Sequence, residues 1–268
     1  MKRLLTILPV FFSLLLAAQD DSSFQYIRTI KGDIIAMEAD NLDNLYLVNS
    51  QNQLRKLDSK GDSMAVFNDV RKFGKATLID VSNPLKVLLY YNDFTTVVML
   101  DRFLNIRNSI DLRRQNIFQV KAIGQSYDNR VWVFDELENK LKKLDEDGKQ
   151  LQETPDFRLL LGKTISPVRI FDENKYVYVC DTLNGIYVFD YFGALKNNIL
   201  IQQWQNLKVT GHYIYGSKAD TLYRYDINTY RYDEWKMPPQ LLNSKAFTFT
   251  ATRLYALKQD GVEVYNIR

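Results

Sequence analysis

The sequence predicts an all-β protein folded as a six-bladed β-propeller with four-stranded blades. Three observations predict it: a repeat of about 40 residues, one order of short apolar runs within every repeat, and an extra apolar run before the first repeat. A polar residue ends the third run of each repeat, and these residues lie 36–45 positions apart. They are Asp58, Asp101, Asp145, Asp190, Asp226 and Asn266. Because the repeats fill residues 19–268, that range is predicted to be one domain.

The apolar runs have the composition of β-strands. They are rich in Val, Ile, Tyr and Phe and are bounded by Asn, Asp and Gly, as in LYLV at 45–48 and VWVF at 131–134. They are apolar on both faces, as expected for sheets that stack around a ring. The first run of each repeat should line the central channel, and these runs are at 34–39, 77–81, 118–124, 167–171, 206–211 and 246–251.

The ring is predicted to close through the N-terminal part of the chain. The sixth repeat contains only three runs, which would leave an unpaired sheet edge. The run FQYIRTI at 24–30 belongs to no other repeat. We therefore expect it to pair with the last blade as its fourth strand.

One repeat resembles a known family. The segment VYVCDTLNGIYVFDYFG at 177–193 resembles the NHL repeat in its order of strand, Asp, polar turn, strand, Asp and Gly. The segments at 44–61 and 129–148 match this order less strictly, and the other three repeats keep only its rhythm. The resemblance implies a six-bladed NHL-like propeller of the kind that bacteria export.

The start of the chain predicts export. Residues 1–18 combine Lys2 and Arg3 with an apolar run and small residues, the order of a secretory signal peptide, although an uncleaved anchor is the alternative. No later run is long enough to span a membrane. The formal charge of +3 includes this leader, so the mature chain is nearly neutral and is not expected to bind nucleic acid. We expect a periplasmic or secreted monomer.

The sequence contains few residues suited to catalysis. With one histidine, His212, it cannot form an H-E-x-x-H motif or a three-histidine zinc site, and Cys180 lies in an apolar run where a buried thiol is expected. The predicted architecture resembles that of propeller lactonases, which hold calcium with channel carboxylates, and Glu38 and Asp80 lie on first runs. The other first runs carry Lys121, Arg169, Lys208 and Thr248, which favours charge pairs across the channel. No catalytic residue, metal or cofactor is predicted.

One ring face is a candidate partner-binding surface. The turns between second and third strands and the links between blades share a face and carry aromatic and basic residues, the types enriched where proteins bind each other. The alternative is that the aromatic rings pack between blades and the basic side chains are merely solvated. The candidate residues are Arg71, Lys72, Phe73, Phe94, Arg113, Arg114 and Trp204.

Three further segments have two interpretations each. The links RLLLGKTIS at 158–166 and KMPPQLLNS at 236–244 are more apolar or longer than a short turn requires, so they either cap the ring or form a docking edge. The tyrosine-rich segment at 221–235 either stacks on sugars or belongs to the core between blades. The whole pattern favours a non-enzymatic scaffold that binds a protein of the bacterial cell envelope. The alternative is a propeller that binds a small ligand or glycan, or a metal-assisted hydrolase, using its channel.

Overall fold

A computed structural model of the chain describes residues 23–267. The predicted signal peptide at 1–18 lies outside this range. The described residues form 24 strands in six antiparallel sheets of four strands each. In the described range no helix is both long enough and apolar enough to cross a membrane.

Blades 1 to 3 follow one another in the chain, and each runs outward from an inner strand. Their strands are, in blade 1, β2 (Ala36–Ala39), β3 (Leu45–Val48), β4 (Leu54–Leu57) and β5 (Ser63–Phe67); in blade 2, β6 (Ala76–Asn83), β7 (Lys86–Tyr91), β8 (Thr96–Asp101) and β9 (Ile106–Asp111); and in blade 3, β10 (Val120–Gln125), β11 (Val131–Asp135), β12 (Lys140–Leu144) and β13 (Gln150–Glu153).

Blades 4 and 5 repeat this order, whereas blade 6 takes its outer strand from the start of the described chain. Their strands are, in blade 4, β14 (Arg169–Glu173), β15 (Tyr176–Asp181), β16 (Gly185–Asp190) and β17 (Leu195–Ile199); in blade 5, β18 (Gln205–Thr210), β19 (Tyr213–Lys218), β20 (Thr221–Asp226) and β21 (Tyr232–Lys236); and in blade 6, β22 (Ala246–Phe249), β23 (Arg253–Leu257), β24 (Gly261–Ile267) and β1 (Phe24–Lys31).

Strand β1 closes the ring as the sequence predicts. It pairs antiparallel with β24 from Phe24 opposite Ile267 to Lys31 opposite Gly261. The predicted fold, a six-bladed propeller closed by an N-terminal strand in the C-terminal blade, is confirmed.

The connections between strands define two faces. The upper face contains the turns between second and third strands together with the links between blades; the lower face contains the turns between first and second and between third and fourth strands. Five short helical segments all lie on the upper face. They are α1 (Val70–Phe73), α2 (Phe157–Leu161), α3 (Pro239–Leu242) and two 3₁₀ turns at Asn92–Phe94 and Leu112–Gln115.

The hydrophobic core is divided among the gaps between blades. Six apolar clusters fill the gaps, and each draws its residues from two adjacent blades. Between blades 3 and 4, for example, Phe157 of α2 contacts Phe134 and Phe189 with ring centroids 5.6 and 5.1 Å apart. Since each blade is covered on both sides, most residues of its second and third strands are buried whichever face they lie on.

The repeated aspartates hold the turns of the lower face. Asp58 accepts the backbone N–H groups of Lys60 and Asp62, each at 2.8 Å, and these bonds, led by that from Asp62, hold the pKa of its carboxyl below the usual value. Asp101, Asp145, Asp190 and Asp226 accept two backbone N–H groups in the same way. The sixth polar residue differs, because Asn266 lies inside β24 opposite Gln25.

Candidate functional site

An ion-paired cluster crosses the central channel. Arg169 pairs with Glu38 and donates a second hydrogen bond to the carbonyl of Ile79 at 3.1 Å. Lys208 lies 3.9 Å from the other carboxylate oxygen of Glu38 and donates to the carbonyl of Ala39 at 2.9 Å. The cluster therefore joins blades 1, 2, 4 and 5. The predicted charge pairing of Glu38 is confirmed, and its carboxylate is committed to protein partners.

Asp80 has other partners than predicted. Its carboxylate accepts the backbone N–H groups of Gln125 and, at 2.8 Å, of Ser82, and it pairs with no basic side chain of the described range. The predicted charge pair is wrong at this position, because β10 of the next blade brings its own N–H group to the carboxylate. Lys121 pairs instead with Glu136 at 3.5 Å. Among residues 23–267 no three His, Cys, Asp or Glu side chains are grouped so that they could hold a metal ion.

The single cysteine, Cys180, is buried, whereas the single histidine, His212, is partly exposed. Cys180 is completely buried, as predicted, and burial raises the pKa of its thiol far above the usual value. A thiol in this state is a poor nucleophile. His212 lies in the lower-face turn before β19, with its ring 3.9 Å from the ring of Tyr213.

Five of the seven predicted partner-binding residues are exposed together on the upper face around blade 2. The link that contains α1 lies against the 3₁₀ turn of blade 2, since a Cβ atom at Gly74 would be 3.2 Å from Asp93. The next link is joined to the same turn by a hydrogen bond from the N–H of Leu112 to the carbonyl of Thr95 at 3.0 Å. The exposed residues are Arg71, Lys72, Phe94, Arg113 and Arg114, here called the basic cluster.

The other two predicted residues are buried. Phe73 packs in the core between blades 1 and 2 with its ring 5.3 Å from that of Tyr91. Trp204 stacks on Tyr223 at 4.7 Å and covers Gly216, where a Cβ atom would lie 2.8 Å from the indole. The prediction that these two rings are exposed is wrong, because an aromatic residue in a link fills the gap between two blades. Their burial supports the alternative that the aromatic rings pack between blades.

Farther around the upper face, exposed leucines lie on blades 3 and 4 and the links beside them. Their exposed fractions are 55% for Leu137, 86% for Leu159, 39% for Leu160, 71% for Leu183 and 71% for Leu200. We call these five residues the leucine patch. The segments that carry them are neighbours, and groups of exposed apolar side chains of this size mark interaction surfaces.

Hydrogen bonds hold the segments that carry the leucine patch next to one another. Arg158 of α2 donates to the carbonyl of Glu138 at 3.2 Å, which joins the helix to the turn that carries Leu137. Lys163, just after α2, donates to the side chain of Asn184 at 3.0 Å, beside Leu183. The link after blade 4 is joined to the same turn of blade 4 by a bond from the N–H of Gln203 to the carbonyl of Thr182. The patch is therefore held in place by structure beneath it.

On the lower face, a groove separates blades 4 and 5. It consists of two adjoining depressions of about 440 and 240 Å³ that share Tyr176, Tyr178 and Ile227. The remaining lining residues are Asn174, Gly211, His212 and Asn228 in the first depression and Val188, Lys196, Asn197, Ile199, Tyr225 and Tyr230 in the second. We call this the tyrosine groove.

Glu173 precedes Asn174 of the tyrosine groove. The shifted pKa of its carboxyl predicts that the stability of the protein depends on pH. Burial, together with the charge of Asp172, raises the pKa of the Glu173 carboxyl above its usual value. Folding therefore favours its neutral form, and the stability of the protein falls as the pH rises from the unfolded pKa of Glu173 to its folded pKa. We expect Glu173→Gln to be more stable than the wild type at about pH 7 and to match it at about pH 4.

Urea unfolding across this pH range measures the difference between the two proteins. Glu234→Gln is the matched control, since Glu234 is exposed on β21 and should show no such pH-dependent gain. A Glu173→Gln protein that is less stable than the wild type at neutral pH would show that the carboxylate is stabilised in the fold.

The sequence matches no model of a known protein family and no curated protein. Solved structures do match. A streptogramin B lyase is 13% identical with a TM-score of 0.59, over 91% of this chain and 97% of that chain. An inactive variant of virginiamycin B lyase from Staphylococcus aureus is 14% identical with a TM-score of 0.60, over 91% and 89%. A WD40 domain from Neurospora crassa is 10% identical with a TM-score of 0.59, over 91% and 95%.

The chain is a β-propeller. At these identities the likeness establishes the fold alone. The propellers that match it include lyases and a WD40 domain, so the NHL resemblance stays a hypothesis about the repeat.

Sequence reasoning found part of the leucine patch and missed the rest. It singled out the link that carries Leu159 and Leu160, because three consecutive leucines in a link are unusual. It did not identify Leu137, Leu183 and Leu200, each of which is a single apolar residue in a polar turn or link. The sequence does contain one indication of these exposed leucines, a leucine at the tip of a short polar turn, as in DTLN at 181–184.

Proposed function

We propose that the protein is a non-enzymatic, exported, NHL-like propeller that binds an envelope protein through its upper face. The observation that carries this proposal is the leucine patch. Burying an exposed leucine side chain contributes about 1.5–3 kcal/mol, so several of them supply enough free energy for a stable complex. The partner should present an apolar surface of its own, such as one face of a helix.

The rigidity of the patch supports the same function. Asn139, at the base of the turn that carries Leu137, accepts the N–H of Phe157 on its carbonyl at 2.9 Å and donates its side-chain amide to the carbonyl of Ile165 at 3.1 Å. Phe157 anchors α2 in the core, so Leu159 is displayed by a fixed helix. A preformed surface loses little conformational entropy when it binds.

The basic cluster is proposed as the outer part of the same interface. Its side chains are exposed on the upper face around blade 2, and Arg113 and Arg114 are partly balanced by Asp111 at 3.3 and 3.7 Å. Exposed charges at the rim of an interface act mainly on the rate of association. We therefore assign the basic cluster to steering and the leucine patch to affinity. The expected location, periplasmic or secreted, follows from residues 1–18 and is part of the proposal.

A channel hydrolase is less well supported. Its catalytic or metal-binding carboxylates would have to come from Glu38 and Asp80, and both are hydrogen-bonded within the protein. No observation among the described residues favours that alternative.

Photo-crosslinking tests the proposed interface. A photoreactive phenylalanine derivative at position 159 or 183 should crosslink to the same envelope protein in preparations from the source organism. The same derivative at position 192 should not, since Phe192 is equally exposed, at 90%, but lies on the lower face. Crosslinks of equal yield from all three positions would contradict the proposal.

The dissociation constant measured between the purified proteins then shows how much the leucine patch contributes to binding. We expect Leu159→Asp combined with Leu183→Asp to weaken binding of the crosslinked protein at least 100-fold, or about 2.7 kcal/mol. Phe192→Asp should leave the dissociation constant unchanged. If the double variant binds as the wild type does, the leucine patch is not the interface.

A further inference from the structure

The tyrosine groove has the composition of a ligand site, and it lies on the face opposite the leucine patch. Its two depressions, of about 440 and 240 Å³, together fall within the range of small-molecule sites, roughly 300–1,000 Å³. We propose that this groove binds a neutral saccharide.

Exposed aromatic rings stand on both sides of the groove. Tyr176 of blade 4 is 41% exposed and Tyr230 of blade 5 is 68% exposed. Tyrosine offers an apolar ring face together with a polar hydroxyl. This combination suits a sugar ring, which has apolar C–H groups on its faces and hydroxyl groups at its edges.

Two buried tyrosines give the groove unused hydrogen-bonding groups. Tyr178 and Tyr225 are 2% and 6% exposed and line the groove, and the hydroxyl of neither has a hydrogen-bond partner within residues 23–267. Neither oxygen is among the fully enclosed atoms that lack a partner, so both are accessible, and both residues line the groove. Burial raises the pKa of Tyr178 to about 12, which keeps its hydroxyl neutral and able to donate or accept. Buried tyrosine hydroxyls usually have partners, and here a ligand can supply them.

Amide side chains at the margin extend the same chemistry. Asn174 donates its amide to the carbonyl of Gly211 at 2.6 Å, which leaves its side-chain oxygen free to accept. Asn197 accepts the N–H of Asn198 at 2.8 Å, which leaves its side-chain NH₂ free to donate. An amide provides both donors and an acceptor, as sugar hydroxyl groups require.

The charge of the lining favours a neutral ligand. No Asp or Glu is among the lining residues, and the one lysine, Lys196, pairs with Asp190 at 2.9 Å. A cation would find no carboxylate in the lining, and an anion would have to break this ion pair. Hydroxyl groups are the ligand groups that the remaining tyrosine and asparagine side chains can satisfy.

The floor of the groove is preorganised. Tyr225 and Trp204 are buried in the core between blades 4 and 5, and the half-exposed Tyr232 contacts both, with ring centroids 4.8 Å from Tyr225 and 6.1 Å from Trp204. Ligand binding next to these three stacked or contacting rings should change the fluorescence of Trp204. The intrinsic fluorescence of Trp204 thus reports binding without an added label.

Binding to a printed array of neutral and anionic oligosaccharides, followed by titration of the best neutral oligosaccharide, tests this proposal. Tyr178→Phe removes only the buried hydroxyl and should weaken binding about tenfold, and Tyr230→Ala should weaken it by at least as much. The matched controls are Tyr187→Phe, whose hydroxyl is buried and unpartnered away from the groove, and Tyr26→Ala, an exposed tyrosine of blade 6. Both should bind like the wild type.

Several results would overturn the proposal. They are the absence of any bound neutral oligosaccharide, binding restricted to anionic glycans, or equal affinity of the Tyr178→Phe and wild-type proteins. The variant with Leu159→Asp and Leu183→Asp should keep its saccharide affinity, because the two surfaces lie on opposite faces. The saccharide proposal can therefore fail while the protein-binding proposal stands, and the reverse also holds.

Discussion

Asp172→Ala should lower the free energy of unfolding by about 3–5 kcal/mol, because this carboxylate of blade 4 accepts four hydrogen bonds, three of them from blade 3. One oxygen accepts the hydroxyl of Ser126 at 3.0 Å, the N–H of Tyr127 at 3.3 Å and the indole N–H of Trp132 at 3.0 Å. The other accepts the hydroxyl of Tyr191 at 2.6 Å. Removing the carboxylate leaves the buried Trp132 indole N–H without an acceptor, which costs more than the lost bonds alone.

The same substitution should loosen an aromatic cage on the lower face. The rings of Tyr127 and Tyr191 stack with centroids 4.3 Å apart, and the ammonium group of Lys143 lies 5.0–5.6 Å from the ring centroids of Tyr127, Trp132 and Tyr191. Lys143 is held there by Asp128 at 2.9 Å. Since Asp172 bonds to the side chains of Trp132 and Tyr191 and to the backbone of Tyr127, its loss should weaken the cation–π contacts as well.

Urea unfolding followed by circular dichroism measures this effect. Asp33→Ala is the control, because Asp33 is an exposed aspartate that bonds only to Ser50, and its loss should cost less than about 0.5 kcal/mol. A double-mutant cycle with Tyr191→Phe should show a coupling energy of about 1 kcal/mol or more. A cost below about 1 kcal/mol for Asp172→Ala would mean that water replaces the carboxylate as the acceptor.

Contacts close in sequence made most of the fold predictable. Each aspartate that ends a third strand bonds to N–H groups two and four residues later, or two and three later at Asp226, so its role can be inferred from one repeat alone. The alternation of strands and turns is similarly local. Ring closure required one further inference. The last sheet needed a fourth strand, and the run that forms β1 was the only one that no repeat contained.

Contacts between blades could not be predicted in the same way. Asp172 and Trp132 are 40 residues apart, and nothing local distinguishes Asp172 from an exposed strand-end aspartate. For the same reason Phe73 and Trp204 were assigned to the surface, although their rings fill gaps between blades. Tyr178 and Tyr225 come to line one groove only because blades 4 and 5 are neighbours, which depends on how the two sheets pack.

Gly261→Val should destabilise the protein by about 3 kcal/mol or more, because it separates the strands that close the ring. A Cβ atom at position 261 would lie 2.2 Å from the carbonyl oxygen of Ile30 and 2.9 Å from the Cα of Lys31. Both atoms belong to the backbone of β1, so no side-chain rotation relieves the clash. Strand β1 must move away from β24, which breaks pairing at the Lys31 end of the register.

A comparison with another glycine separates this clash from the cost of losing glycine itself. Gly162, after α2, has φ of 68° and nothing within 4 Å of an added Cβ atom, so Gly162→Ala should cost only about 1 kcal/mol of backbone strain. Amide hydrogen exchange should then be faster along β1 in Gly261→Val and unchanged in Gly162→Ala. Equal stability losses in the two variants would show that β1 moves away from β24 without a further cost in the free energy of unfolding. If only Gly261→Val exposes β1, the ring is held closed by contact between strands from the two ends of the described chain.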